Sequence, residues 1–386
     1  MLKGESMASK ERANESTLKT SGLTIRNIEA VPVAIPMLRP IKWARGEIKT
    51  IDNVIVIVRL SNGVEGFADA PPRPSIYGET QESIQALITN HLAPSLAGMA
   101  AFDLTGVWRV FDSIVWNVAA KGAIDMALHD ALAKTLRIPC AELLGGTVKP
   151  IALNWRLRLG SEKEMLDDAE QMIARYGFRG IKVKCGVDSG KDIRLLRALR
   201  KITGDASEIS VDMNQGYSSQ TLLEALPAFE EIGISRIEEP LPARDHDGKL
   251  LCAQSTVIPI SGDDSCMTPE DAFDQLKLGA IRSVVIKCAR GGYTASRQIA
   301  AQARAFFRPF HNGSQGDMQI GTASAAQFAC TYSAVHLHEI SAFLDAKDHV
   351  ADQDLVIKDG DLIPPAGPGI GLTLDRKKLK HYRLDK

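Results

Sequence analysis

A polar residue recurs at the end of an apolar run about every 25 residues in the second half of this 386-residue chain. The successive markers are Lys184, Asp212, Glu238, Asp263, Lys287 and His311. This spacing is typical of one strand followed by one helix. Adding the runs ALNWRLRLG before them and AVHLHEI after them gives eight strands over roughly 200 residues, which favours a (β/α)8-type barrel. An open doubly wound sheet is the alternative, but no glycine-rich phosphate-binding motif follows any of these strands.

One charged residue stands at the end of each of five successive predicted strands, although the strands of such a barrel are otherwise largely apolar. Catalytic residues of such barrels lie at the carboxyl ends of the strands. Asp212, Glu238 and Asp263 come from three consecutive strands, so their carboxylates should converge. Any one of these acids alone could belong to a surface ion pair, but three converging carboxylates repel one another unless a cation lies between them. Because all-oxygen ligation with room for water suits Mg²⁺, the sequence predicts a magnesium site.

Lysines flank the three acids on both sides. Strand alternation places Lys182 and Lys184 on the inner face of GIKVKCG, and Lys287 on the inner face of SVVIK four strands later. A lysine accepts a proton at neutral pH only when its pKa is lowered, and burial, a neighbouring ammonium and a divalent cation all lower it. We therefore expect two facing bases, one of which removes a proton α to a substrate carboxylate while the other controls a proton on the opposite face.

Eight segments carry a wider pattern. They are LTIRNIEAVPV, AAKGAIDMALHDALAKTLRIPCAELLGG, GIKVKCG, VDMNQGY, RIEEPL, PISGDDS, VVIKCARGGYTASRQIAAQA and IPPAGPGIGLTLD. In order and spacing they resemble the muconate-lactonizing-enzyme subgroup of the enolase superfamily, which is similar to mandelate racemase in fold. The resemblance spans about residues 23 to 383, and it implies Mg²⁺-assisted proton abstraction through an enediolate.

The resemblance also implies residue roles. The implied metal ligands are Asp212, Glu238 and Asp263. Mn²⁺ is expected to substitute for Mg²⁺. Lys184 and Lys287 would be the opposed acid/base pair, and Lys182 would tune Lys184 and touch the substrate carboxylate. Asn214 and Asp264 would lie next to the metal ligands and help to hold them in position.

Other residues are candidates for binding the substrate. Alternation in NWRLRLG puts Arg156 and Arg158 on one face with Asn154, where guanidinium groups would favour a second substrate carboxylate unless they pair with neighbouring acids. Two loops of the first domain, MLRPIKWARGEIKT and PPRPSIYGET, resemble the lids of this family. In these loops Trp43 and Tyr77 are expected either to contact the distal part of the substrate or to anchor the loop.

The segment HNGSQGDMQIGTASAAQFA matches the specificity-determining segment of the family only loosely. We expect His311 to be a hydrogen-bonded histidine at a barrel end rather than a catalytic base. Asp317 is expected either to contact a substrate amine or to be a solvated loop acid.

The first part of the chain has a different pattern. Three strand-like runs precede three segments with helical periodicity, which indicates an α+β domain. We predict an α/β fold in which an N-terminal α+β capping domain covers a modified TIM barrel of the (β/α)7β type. The expected organisation is a flexible tail over 1–22, the capping domain with lid loops over 23–145, the barrel over 146–343, and a C-terminal segment over 344–386 that returns to the cap.

Several reactions remain open at this stage. The leading expectation is a racemase or epimerase of amino-acid derivatives or dipeptides, followed by a muconate-type cycloisomerase and an acid-sugar or hydroxy-acid dehydratase. A Schiff-base aldolase also uses barrel-end lysines but would not require three metal-positioned acids. A non-enzymatic barrel would be favoured by loss of a ligand or a base, and neither is lost.

The composition of the chain limits the kinds of molecule that it can be expected to bind. The formal net charge of −1 argues against nucleic-acid binding and electrostatic membrane attachment. No run of residues is long and apolar enough to cross a membrane. Six scattered cysteines without a CxxC pair are typical of reduced thiols. We expect a cytoplasmic homo-oligomer that acts on a small-molecule carboxylate.

Overall fold

The computed structural model describes residues 22–43 and 46–385. Nearly all of the predicted tail over 1–22, and the side chain of Trp43, lie outside the described residues. None of the helices in the described ranges is long and apolar enough to span a membrane.

An antiparallel sheet of order β1-β2-β3 begins the chain. Its strands are β1 (Ile25–Trp43), β2 (Gly46–Leu60) and β3 (Glu65–Ala70). The helices that follow are α1 (Gln81–Leu87), α2 (Ala93–Leu96), α3 (Leu104–Asp112), α4 (Val118–Leu136) and α5 (Cys140–Leu143), with a π-helical turn at Ile88–Leu92. Thr80 caps the start of helix α1. Its side-chain oxygen accepts a hydrogen bond from the amide of Ser83, and the Ser83 side-chain oxygen accepts one from the amide of Thr80.

Helix α4 is buried on almost every face. Small residues, including Ala119, Gly122 and Ala123, allow it to pack closely between strand β3 and a barrel helix. A helix without a polar face must lie inside a protein, so this segment joins the first domain to the barrel.

The barrel alternates strands and helices. After β4 (Ile151–Ala152), the elements are β5 (Trp155–Arg156), α6 (Glu162–Tyr176), β6 (Gly180–Lys184), α7 (Ser189–Thr203), β7 (Glu208–Asp212), α8 (Ser219–Ile232), β8 (Arg236–Glu238), α9 (His246–Gln254), β9 (Ile260–Gly262), α10 (Pro269–Leu278), β10 (Ser283–Ile286), α11 (Gly292–Ala305), β11 (Phe310–Asn312) and α12 (Gln319–Ala329). Short 3-10 turns lie at Asp264–Cys266 and Ala342–Asp345. Strands β5 to β11 form a parallel sheet in sequence order.

Residues near His338 close this sheet into a barrel. The Glu339 amide donates to the carbonyl of Asn312 on β11, while the His338 amide donates to Ala152 and the His338 carbonyl accepts from Asn154 at the other edge. The segment therefore takes the place of an eighth strand, and it is followed by the 3-10 turn at Ala342–Asp345 rather than by an α-helix. The predicted α/β fold, with a modified TIM barrel and a smaller N-terminal domain, is confirmed.

Local sequence explains where the barrel helices begin and end. Helix α6 begins at Ser161, which forms a reciprocal capping box with Glu164, and ends at Gly177 in a left-handed conformation. Helix α10 begins with Pro269 after a second capping box between Thr268 and Asp271. These boundaries leave each βα loop at the carboxyl edge of the sheet.

The last segment contacts the first domain. It contains β12 (Val356–Lys358), β13 (Asp361–Ile363) and α13 (Arg376–Tyr382), and β12 and β13 form a small antiparallel sheet with β4. Arg383 forms a bridge with Val33 and Ala346 forms one with Met37, so this segment hydrogen-bonds to β1.

Two buried acids lie where the first domain meets the barrel. Asp69 on β3 accepts hydrogen bonds from Asn53 Nδ2 at 3.1 Å and from the amide of Met318 at 2.7 Å, while its Oδ1 has no partner among the described residues. Burial, together with the negative charge of Asp317, raises the pKa of Asp69 to about 7. Burial also raises the pKa of Asp317. The two carboxyl groups therefore retain a proton well above the pH at which exposed acids lose it.

This pair predicts a pH dependence of stability. The folded state keeps a proton that the unfolded state releases near pH 4, so the stabilising contribution is complete below that pH and is lost as the pH rises through about 7. The Asp69→Asn variant keeps an acceptor and adds a donor without titrating. We expect its Tm to rise relative to wild type by about 2 °C or more between pH 5 and pH 8. Asp52→Asn, at an exposed acid, is the control, and parallel Tm profiles for Asp69→Asn and wild type would contradict the prediction.

Candidate active site

Three carboxylates meet at the carboxyl ends of β7, β8 and β9. Asp212 and Glu238 end their strands and are paired in register, while Asp263 follows the last residue of β9. Each is at most 1% exposed, and one oxygen from each lies within 4.8 Å of the others. Parallel strands in sequence order bring their ends to one edge, so the regular spacing in the sequence becomes a cluster in space.

The donor set fits a divalent cation. Oε2 of Glu238 is buried and has no hydrogen-bond partner among the described residues. Burial raises the pKa of Glu238 to about 8, Lys182 opposes this rise, and Asp212 and Asp263 add to it. A carboxylate in this position needs more positive charge than the protein supplies. An all-oxygen set of this kind suits Mg²⁺ or Mn²⁺.

Two lysines border the cluster on opposite sides. Nζ of Lys184 on β6 lies 2.6 Å from Oδ2 of Asp212 and 2.7 Å from Oδ1 of Asn214. Nζ of Lys287, just after β10, lies 2.7 Å from Oδ2 of Asp263. Strands β7, β8 and β9 separate β6 from β10, which places the two lysines across the barrel mouth. Both line one cavity of about 590 Å³.

The third lysine, Lys182, is enclosed by acids. Its Nζ lies 2.6 Å from Glu238, 2.9 Å from Asp212 and 2.5 Å from Glu339. Burial lowers the pKa of Lys182, but these carboxylates outweigh burial and hold the pKa well above its usual value. Burial also lowers the pKa of Lys287, but Asp263, Glu238 and Asp264 together outweigh it and raise this pKa above its usual value. These directions reflect the protein's own charges; the lowered lysine pKa values that the sequence predicts depend also on a divalent cation between the acids and stay a prediction.

Buried pairs that the sequence analysis missed hold this site together. Glu339 binds Lys182, and Arg290 donates to Oδ1 of Asp263 at 2.7 Å. Oε2 of Glu239 accepts from the amides of Asp263 and Ser265. Each had a signal in the sequence: Glu339 follows His338 at the end of the last strand-like run, Arg290 follows Lys287 by three residues, and Glu239 is the second acid of IEEP.

Backbone conformation is unusual beside the ligands. Asn214 and Gln215, after β7, have φ of 43° and 67°, and Glu239, after β8, has φ of 36°. Non-glycine residues rarely adopt the left-handed region, and such positions concentrate at functional sites. Here the amide of Asn214 donates to Oδ1 of Asp212 at 3.0 Å, so the turn orients a ligand. Asp264, beside Asp263, accepts from Gln215 at 3.0 Å.

Arg156 and Arg158 both form ion pairs with acids of the protein. Arg156 reaches the cavity, but it is paired with Asp345 and lies 4.0 Å from Glu339. Arg158 does not line this cavity, and it binds Asp168 at 2.8 Å and Asp345 at 2.7 Å. The reason is that β5 ends at Arg156, so alternation does not extend to Arg158. Both guanidinium groups are satisfied by the protein, which favours the ion-pair alternative over binding of a substrate carboxylate.

Three other candidates lie away from the cavity surface. Tyr77 is buried and its hydroxyl donates to the carbonyl of Pro71, so it anchors its loop. Asp317 is buried beside Asp69 and accepts from the Gln315 amide, so it is not a solvated acid and does not line the cavity. His311 is fully buried, and neither ring nitrogen is bonded to a described residue, contrary to the expected hydrogen bond. Burial, with Arg236 nearby, lowers the pKa of His311 well below its usual value.

Comparisons with known proteins agree with this geometry. Residues 26–145 match the family model of the mandelate racemase / muconate lactonizing enzyme N-terminal domain, and residues 164–378 match the enolase C-terminal domain-like model. Among curated proteins, chloromuconate cycloisomerase CbnB of Cupriavidus necator is 31% identical, covering 93% of this chain and 99% of its own. The L-Ala-D/L-Glu epimerase of Bacillus subtilis is 29% identical, covering 91% of this chain and 97% of its own.

A solved structure is similar over almost the whole chain. The muconate lactonizing enzyme of Mycobacterium smegmatis, crystallised with muconolactone, superposes with a TM-score of 0.91 at 35% identity and covers 94% of this chain and all of its own. The two family models together span most of the chain, and its relatives are isomerases. With its Asp-Glu-Asp cluster at three successive strand ends, this chain belongs to the muconate lactonizing enzyme subgroup of the enolase superfamily.

Proposed function

We propose that the protein removes the proton α to a substrate carboxylate and can return a proton to the opposite face, and so racemises or epimerises an amino-acid derivative or dipeptide. The observation that carries this proposal is the placement of Lys184 and Lys287 on opposite sides of one carboxylate cluster, both facing one cavity. Interconversion of stereoisomers requires an acid/base group on each face of the α-carbon.

Each charged group of the site has a separate role in the proposed reaction. Asp212, Glu238 and Asp263 would hold Mg²⁺, which supplies positive charge that stabilises the negative charge developing on the substrate carboxylate. Lys182, fixed by Glu238 and Glu339, adds a permanent positive charge beside that carboxylate. Nζ of Lys184 and Nζ of Lys287 exchange protons with the α-carbon from opposite faces.

The residues that line the cavity limit which substrates can bind. Its inner end carries the charged groups described above, whereas the side walls are partly apolar, with Ile76, Leu159, Met165 and Leu195 among the lining residues. Asp317, the expected acceptor for a free substrate amine, is buried away from the cavity. The partly apolar side walls suit an acylated α-amine, as in an N-acyl amino acid or a dipeptide.

Cycloisomerisation of a muconate-like dicarboxylate is the second candidate. Its support is the similarity to cycloisomerases, including the chloromuconate cycloisomerase of Cupriavidus necator and the muconolactone-bound structure from Mycobacterium smegmatis. Such a reaction requires proton control on one face only, so the second lysine would have a different role. A cytoplasmic location and a homo-oligomeric state remain predictions.

Incubation in D2O separates these candidates. Single stereoisomers of N-acetyl amino acids and dipeptides are supplied with Mg²⁺, and the α-proton signal is followed by NMR while chiral chromatography follows configuration. We expect deuterium at the α-carbon together with inversion for at least one substrate. Conversion of cis,cis-muconate to a lactone with no inversion of any amino-acid derivative would favour the second candidate.

A further inference from the structure

Arg73 is the one cation of the N-terminal domain's described residues that lines the cavity containing Lys184 and Lys287. It lies in the loop 71–80 and is half-buried. The loop is tightly folded around it, because the Arg73 carbonyl accepts the amides of Ile76, Tyr77 and Gly78. Prolines on both sides of Arg73 restrict its backbone further. The side chain is therefore presented to the cavity from a rigid support.

The guanidinium of Arg73 has no carboxylate partner. Its hydrogen bond to a described residue goes to the carbonyl of Pro72, at 2.6 Å, and no described carboxylate lies within ion-pair distance. The arginines inside the barrel differ in this respect, since Arg156, Arg236 and Arg290 each pair with an acid. A half-buried cation that the protein leaves unpaired is costly unless a ligand satisfies it.

The residues next to the Arg73 guanidinium leave space for it. Gly316, at φ of 89°, lies so close that a Cβ there would come within 1.8 Å of a guanidinium nitrogen of Arg73. Glycine thus creates the space that the guanidinium occupies. Asp317 interacts electrostatically with Arg73, but its carboxylate accepts from the Gln315 amide and is buried beside Asp69. The donors of Arg73 that remain are available to a molecule in the cavity.

We propose that Arg73 binds a second anionic group, a carboxylate at the distal end of the substrate, and so determines specificity for acidic over neutral substrates. This inference rests on the proposed function, because the first carboxylate is the one held at the Asp212, Glu238 and Asp263 cluster. Arg73 thereby takes the role that the sequence suggested for Arg156 and Arg158, which are occupied by Asp345. An arginine and a carboxylate form paired, charge-assisted hydrogen bonds that an amide cannot match.

The test uses matched substrates that differ only at the distal end. The pairs are N-acetyl-L-glutamate with N-acetyl-L-glutamine, N-acetyl-L-aspartate with N-acetyl-L-asparagine, and L-Ala-L-Glu with L-Ala-L-Gln. Each is assayed for α-proton exchange in D2O with wild type, Arg73→Met and Arg73→Lys. Arg194→Met is the control, because Arg194 is an exposed arginine at the rim of the same cavity. Thermal unfolding establishes that each variant is folded.

We expect wild type to favour the acidic member of at least one pair by about 100-fold in kcat/KM. This preference should fall below about tenfold in Arg73→Met, be intermediate in Arg73→Lys and persist in Arg194→Met. A merely structural role would lower both members of a pair equally. An unchanged preference in Arg73→Met, or a wild-type preference for the amides, would overturn the inference.

Equilibrium binding separates this inference from the proposed reaction. The same pairs are titrated calorimetrically into the Mg²⁺-loaded protein, so no turnover is needed. If no substrate exchanges its α-proton, the proposed function fails. In that case tighter binding of the acidic members that is lost in Arg73→Met still supports the Arg73 site, whereas equal binding of acids and amides rejects it.

Discussion

The variants Lys184→Ala and Lys287→Ala are each expected to lose interconversion of substrate stereoisomers by about 1000-fold or more. The reason is that each lysine serves one face of the α-carbon and neither has a substitute across the barrel mouth among the described residues. In D2O, Lys184→Ala should still exchange the α-proton of the isomer that faces Lys287, and Lys287→Ala should exchange that of the other isomer. NMR of each pure stereoisomer measures this directly.

Lys191→Ala is the matched control for the lysine variants. Lys191 is an exposed lysine at the edge of the same cavity, so its loss should leave both exchange reactions near the wild-type rate. Loss of exchange with both isomers in only one of the two catalytic variants would indicate a single base, as cycloisomerisation or dehydration would allow. Unimpaired turnover in both variants would contradict the mechanism.

The second large effect concerns the metal. Glu238→Gln keeps the shape of the side chain but removes the charge of the ligand whose Oε2 has no protein partner. We expect the Kd for Mg²⁺ or Mn²⁺ to rise by more than about 100-fold and turnover to fall with it. EDTA should abolish wild-type activity, and Mg²⁺ or Mn²⁺ should restore it.

A readout independent of turnover supports this prediction. At 100 times its Kd, a bound cation stabilises the folded state by about 2.7 kcal/mol, so Mg²⁺ should raise the Tm of wild type and not that of Glu238→Gln. Glu162→Gln, at an exposed acid that lines the same cavity, should respond like wild type. Full activity after exhaustive chelation, or equal metal affinity in wild type and Glu238→Gln, would contradict the assignment of the ligands.

The regular part of the molecule was predictable from the sequence. Strand and helix lengths in a barrel repeat closely, so the spacing of Asp212, Glu238 and Asp263 was enough to predict that they converge. Lys184 and Lys287 were predictable in the same way, since strand alternation and strand order depend on local pattern.

The irregular part was not predictable by these arguments. Alternation fails for Arg158 because β5 contains only Trp155 and Arg156. Asp317 looks like a loop acid in the sequence, but it is buried against Asp69, which lies 248 positions earlier in the chain. Glu339 lies one residue beyond His338, the assumed marker of the last strand, and a shift of one residue exchanges the inner and outer faces. Contacts between segments that are far apart in the sequence determine where these side chains lie.

Crystallography with Mn²⁺ and a slowly reacting N-acetyl amino acid would show whether the three acids hold a metal between two opposed lysines. Anomalous diffraction locates the metal, and the electron density locates the α-carbon. We expect one anomalous peak within about 2.0–2.6 Å of oxygens from Asp212, Glu238 and Asp263, with Nζ of Lys184 and Nζ of Lys287 on opposite faces of the α-carbon. A peak elsewhere, or both lysines on one face of the bound carboxylate, would contradict this expectation.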